Sequence, residues 1–172
     1  LDVEGVEIEA IKGGSRLLQT DSVVLCEEHG NDRAHTVSRY ILEQTPHSHL
    51  MIIPGERDEV IEQDRAVTVT IASPHVPGSP HYRLMLRNGA VRNALERFRP
   101  DLIECQDAYN LPWAAIAHRR RHPDTALIAA YMTDFPTVYV ERPLSPFLTK
   151  PVAGVLGRIC YAYAGALYRR FD

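Results

Sequence analysis

Two segments of this chain end apolar runs in groups that can hold a polar ligand. Ala129-Ala130-Tyr131-Met132-Thr133-Asp134-Phe135-Pro136 stops at a Thr–Asp pair, and Pro136 blocks continuation. Arg99-Pro100-Asp101-Leu102-Ile103-Glu104-Cys105-Gln106-Asp107 repeats the plan, with a Pro-Asp break, a short apolar strand and then acid and amide groups. A buried parallel strand ends in this way when it delivers side chains to a ligand crevice. Two consecutive units of this kind read as a nucleotide- or sugar-handling domain, with Thr133, Asp134, Glu104 and Asp107 as its candidate polar groups. Tyr109 and Trp113 are candidates for an aromatic sugar platform. Structural readings stand beside these: Asp134, Glu104 and Asp107 as turn formers, and Trp113 as a core residue of an apolar helix.

His118 and His122 are four apart on an expected helix, which is metal-ligand spacing. Arg119, Arg120 and Arg121 between them repel a cation, and no Glu stands in the position of a base. They read as a solvated basic helix end, favourable at a helix carboxyl terminus. No metal ligand is expected here, and His47 and His49 read as linker residues. No residue is assigned a catalytic role.

The elements that must position these groups alternate. Glu4 to Leu18 is helical with a break at Gly13-Gly14, Ser22 to Cys26 is a short strand, and Ala34 to Gln44 is a helix. Leu50 to Ile53 is a buried strand, Glu56 to Arg65 a solvated connection or poor helix, and Val67 to Ile71 a strand of period two. Pro74, Pro77, Gly78 and Pro80 make a loop. Leu84 to Phe98 is a helix, followed by strand Leu102–Cys105, helix Pro112–Arg121 and strand Ala126–Tyr131. Val152 to Tyr168 is a long apolar helix whose Arg158 makes it a poor membrane span. Alternation of this kind predicts an α/β fold, a Rossmann-like and mainly parallel sheet with helices on both faces.

Composition sets outer bounds. The 172 residues are 45% apolar and 24% charged, the balance of an ordinary globular protein. The formal net charge of -3 gives no sign of a nucleic-acid binder. Three cysteines lie far apart, Cys26, Cys105 and Cys160, and read as buried free thiols in a reducing cytoplasm. The start, Leu1-Asp2-Val3-Glu4, is acidic and unlike a signal peptide.

Residues 49–172 resemble the amino-terminal half of a family 4 glycosyltransferase of the two-domain GT-B architecture. The motifs are Ile53-Pro54-Gly55-Glu56-Arg57-Asp58-Glu59, Pro80-His81-Tyr82-Arg83, Arg99 to Glu104, and Tyr131 to Pro136, in that order and spacing. The last motif usually reads Tyr-His-Thr-Asp-Phe-Pro in that family, and Met132 stands at the His position here. A thioether neither donates a proton nor carries charge, so Met132 is an acceptor-pocket candidate by position only. Residues 1–44 resemble the carboxyl-terminal part of an FkbM-type methyltransferase, on Leu1 to Gly5, Lys12-Gly13-Gly14 and Glu27-Glu28-His29-Gly30. The resemblance makes Asp2, Glu4, Gly5 and His29 the methyltransferase-like motif. Residues 45–48 form the seam between the two likenesses.

The resemblance implies transfer of a sugar from a nucleotide-sugar donor to a cell-envelope or lipid-linked acceptor, in a bacterial setting. This chain would be the acceptor-side part, with a carboxyl-terminal donor-binding domain as its missing partner and no cofactor of its own. An S-adenosylmethionine-dependent methyltransferase is the first alternative, and a non-catalytic remnant or docking module the second. The expected location is cytoplasmic, with peripheral contact at the inner face of the membrane through the basic groups Arg119–Arg121, Arg169 and Arg170.

Overall fold

The computed structural model describes residues 5–19, 36–76, 79–107, 109–129, 134, 136–141, 147 and 149–172. The expected strand at Ser22–Cys26 and the candidates Asp2, Glu4, His29, Met132 and Thr133 lie outside them. The fold is mixed α/β. Its described strands form one three-stranded sheet and two two-stranded sheets. The chain divides into two compact units, Leu1–Met51 with Ile61–Thr68, and Ile52–Val60 with Val69–Asp172.

In the first unit, α1 (Glu7–Gly13) and α2 (Thr36–Gln44) meet through Ile11, Leu18 and Val37, with Ile8, Tyr40 and Ile41 packed around them. Lys12 lies over the Tyr40 ring, its ammonium 5.7 Å from the centroid. Gly5, of the methyltransferase-like motif, is exposed with φ +94, a conformation that suits glycine. The end of α2 carries a cap from far along the chain. Arg65 donates from its two terminal nitrogens to the carbonyls of Leu42 and Thr45, satisfying oxygens that a helix end leaves open.

Strands β1 (His49–Gly55), β2 (Glu59–Gln63) and β3 (Ala66–Ala72) have the spatial order β1-β3-β2. Asp64, at φ 50, turns β2 directly into β3. His49 N–H bonds the Arg65 carbonyl and Ser73 N–H bonds the Gly55 carbonyl, so β1 runs parallel to β3. Gly55 is required by close approach, because a Cβ there would land on Cγ2 of Thr70. We expect Gly55→Ala to cost about 1–3 kcal/mol by overpacking, and Gly55→Ala combined with Thr70→Ser to regain most of it. Equal urea midpoints for Gly55→Ala and the parent, or no recovery in the double variant, would refute this reading.

The second unit carries the parallel pair β6 (Leu102–Cys105) and β7 (Ala126–Ala129), registered Leu102 to Ala126 through Cys105 to Ala129. Ahead of it, β4 (His75–Val76) and β5 (Ser79–Arg83) form a small antiparallel hairpin where the sequence reads as a loop. Helix α3 (Asn88–Phe98) begins later than the apolar spacing predicts, with Met85 buried ahead of it. It ends at Arg99, in the left-handed region at φ 46 just before Pro100. Helix α4 (Leu111–Arg119) starts with Pro112 in its first turn. The amide of Asn88 donates to the side-chain carbonyl of Asn110 at 2.9 Å and ties the starts of α3 and α4.

Helix α5 (Lys150–Tyr168) follows a π-helical turn at Pro136–Glu141. Its Leu167 joins Cys105, Ala115, Ile116 and Leu127 in the core of this unit, with Ile103 and Phe171 packed on it. Asp172 returns to the outer edge of β7. Its carboxylate accepts Leu127 N–H at 2.9 Å and its own N–H donates to the Leu127 carbonyl at 2.9 Å. Arg119 grips the same carboxylate with two bonds of 2.8 and 2.7 Å, so both backbone groups of an edge residue are covered. Backbone hydrogen bonding to Leu127 and the Arg119 guanidinium hold the Asp172 carboxyl below its usual range. No helix among the described residues is long and apolar enough to cross a membrane.

Candidate functional site

The carboxyl ends of β6 and β7 lie side by side because the two strands are parallel and in register. Glu104 is the last exposed acid of β6, and Cys105 beneath it is buried. Gln106 reaches back with its amide 3.5 Å from a Glu104 carboxylate oxygen. Cys105 is a thiol in an apolar core between two acids. Burial first, then the Asp107 and Glu104 charges, push its pKa up to about 12, so it is held as a neutral thiol and is no nucleophile.

Asp107 has a defined structural task. One oxygen accepts the N–H of Tyr109 at 2.5 Å and of Asn110 at 3.2 Å, and the other accepts Leu111 N–H at 2.9 Å. Both oxygens are engaged in closing the turn that launches α4, the role of an acid at a helix start. Of the acids near the end of β6, Glu104 is therefore the one that remains exposed toward solvent.

Beyond β7, Asp134 is exposed and accepts the Tyr161 hydroxyl at 2.5 Å. With that proton committed, the Thr137 hydroxyl is the donor in its 3.1 Å contact with Tyr161. Two residues further along α5, Tyr163 donates to the Tyr109 carbonyl at 2.7 Å and accepts Trp113 Nε1–H at 2.6 Å. Helix α5 thus brings one tyrosine to the group after β7 and another to the loop after β6. Sequence reasoning missed both tyrosines. The signal was a pair of phenols, Tyr161 and Tyr163, in an otherwise largely apolar helix; both are exposed, and each hydroxyl is hydrogen-bonded.

Trp113 is 38% exposed, so the expected core role does not hold. It packs beside Tyr163 with ring centroids 6.3 Å apart, and the Arg170 guanidinium lies 5.2 Å from its centroid. The histidine pair also departs from expectation. His118 is 1% exposed and is no solvated helix end, whereas His122 is partly exposed. His118 falls three and four residues after Ala115 and Ala114, both buried; that spacing marks the inner face of α4.

Comparison with family models, with curated proteins and with solved structures finds no match.

Proposed function

We propose that this chain binds the acceptor in a glycosyl transfer, as the acceptor-side half of a GT-B-like enzyme with a Rossmann-like sheet. The observation that supports this reading is the parallel pair β6 and β7, with Glu104 and Gln106 at the end of the first and Asp134 after the second, and with α5 bonded to both stretches, through Tyr161 to Asp134 and through Tyr163 to Tyr109 and Trp113. Carboxylate and amide groups beside partly exposed aromatic rings suit a polyhydroxylated ligand, whose hydroxyls bond in pairs and whose C–H faces rest on rings. In this role Asp134 and Glu104 accept acceptor hydroxyls, and Asp107 fixes the loop that carries Tyr109. Thr133 and Met132 are acceptor candidates by their place in the same sequence motif as Asp134. A second domain would supply the nucleotide-sugar donor, and the lipid-linked character of the acceptor rests on the sequence resemblance alone.

The test is calorimetric titration of the chain with a panel of glycans, lipid-linked sugar analogues, nucleotide sugars and S-adenosylmethionine. We expect saturable binding of a sugar acceptor, weakened about 10–100-fold by Asp134→Ala, the worth of a hydrogen bond to a charged group. Sugar binding indifferent to Asp134→Ala, or no sugar binding by a folded chain, would sink the proposal. Binding of S-adenosylmethionine alone would replace it with methyl transfer.

A further inference from the structure

A second cluster stands apart from the strand ends, where α3 packs on α4. His122 N–H bonds the His118 carbonyl at 3.0 Å, so the helical turn continues past Arg119 and stacks the two imidazoles, with centroids 4.3 Å apart. Glu96, on the facing side of α3, reaches both rings. One carboxylate oxygen lies 3.0 Å from His122 Nε2, and the other lies 3.5 Å from His118 Nδ1. One ligand atom from each residue falls within 4.8 Å of the other two.

The inner histidine makes this more than a surface ion pair. Both ring nitrogens of His118 are buried, Nε2 with no hydrogen-bond partner and Nδ1 with only the Glu96 oxygen at 3.5 Å, outside good hydrogen-bond geometry. Orphaned buried polar atoms cost free energy that a native structure normally avoids. A metal ion takes up one such nitrogen directly, and a neutral imidazole is the form that ligates.

We propose that Glu96, His118 and His122 form a binding site for a divalent transition-metal ion of the zinc type. Two imidazoles and one carboxylate are a three-ligand set that leaves a fourth tetrahedral position for water or a ligand. Ligand atoms about 3.4 Å apart are needed around an ion with bonds of about 2.1 Å, so rotation of the Glu96 and His122 side chains closes the site. Arg121 donates to Glu96 at 2.6 Å and stays bound to its outer lone pair, as carboxylate ligands are commonly held. Its charge opposes the ion but is more than half exposed and screened. Arg119 is neutralised by Asp172. His122 also borders a surface cleft of about 270 Å³, lined by Arg99, Asp101, Arg121 and Asp124 among others.

The experiment is titration of the full chain, stripped with chelator, with ZnCl2 and with CoCl2, read by calorimetry and by the visible absorption of bound Co2+. The expected result is one high-affinity ion per chain with a tetrahedral cobalt spectrum. Glu96→Gln, His122→Gln and His118→Gln should each weaken binding by about 100-fold, the upper end of what outer-shell changes alone produce. Glu96→Gln and His122→Gln act at partly exposed positions and keep the test valid should His118→Gln fail to fold. His47→Asn, outside the cluster, should bind as the parent does. Absence of stoichiometric binding by the parent, or parent-like affinity in either Glu96→Gln or His122→Gln, overturns the proposal.

Discussion

Leu127→Ala lowers the unfolding free energy by about 3–4 kcal/mol, in the middle of the range for truncating a fully buried leucine. The side chain is 0% exposed and sits among Cys105, Ala115, Ile116 and Leu167. The cost of such a cavity depends on whether the walls can close over it. Here they cannot close easily. On one side the backbone of residue 127 is registered against Ile103 of β6. On the other, its N–H and carbonyl are both bonded to Asp172, itself clamped by Arg119. Urea denaturation of the variant checks this, and a loss below about 1.5 kcal/mol would mean that β7 shifts inward to fill the space.

Alkaline pH should destabilise the fold through Cys105, whose side chain is 6% exposed. Its thiol ionises at about 12 when folded against a reference of 9.0. Above pH 9 the unfolded chain therefore gives up this proton while the native chain keeps it. Fewer protons on the unfolded state make stability fall as pH rises, by about 1.4 kcal/mol per unit. The loss from this group alone approaches about 4 kcal/mol at the top of the window and is absent below pH 8. Tyr168, whose pKa is also raised, first by burial, deepens the loss at higher pH. Denaturant midpoints of the parent and Cys105→Ala, measured from pH 8 to 11, should converge as pH rises. Parallel curves would show that the thiol ionises alike in both states.

Much of the second unit was legible because its elements carry clear periods. The apolar run at Leu102–Cys105, the Pro-led helix α4 and the long apolar α5 appear close to where spacing puts them. Strand β2 was not legible, because Val60 and Ile61 are both exposed in an edge strand otherwise made of Glu and Gln. An edge strand of this kind carries no buried face to imprint a pattern. The β4–β5 hairpin hid behind prolines that elsewhere mark a loop. Motif residues around Asp134 could be named from sequence, but not its Tyr161 partner, which lies 27 residues away. The Glu96–His118–His122 cluster was legible only in its histidine spacing. Glu96 is an ordinary surface acid of an amphipathic helix until α3 is laid against α4, and no local signal announces that contact.

The arginine that closes α2 has a consequence in time. A nine-residue helix gains little from its own turns and depends on what holds its ends. The groups that hold its last carbonyls belong to Arg65, 23 residues after Leu42 and 20 after Thr45. During synthesis at about 5–20 residues per second, the helix therefore exists for a second or more as a chain whose closing piece has not been made. Arg65 follows directly on Asp64, so the cap of α2 and the reversal from β2 into β3 share one short stretch of chain.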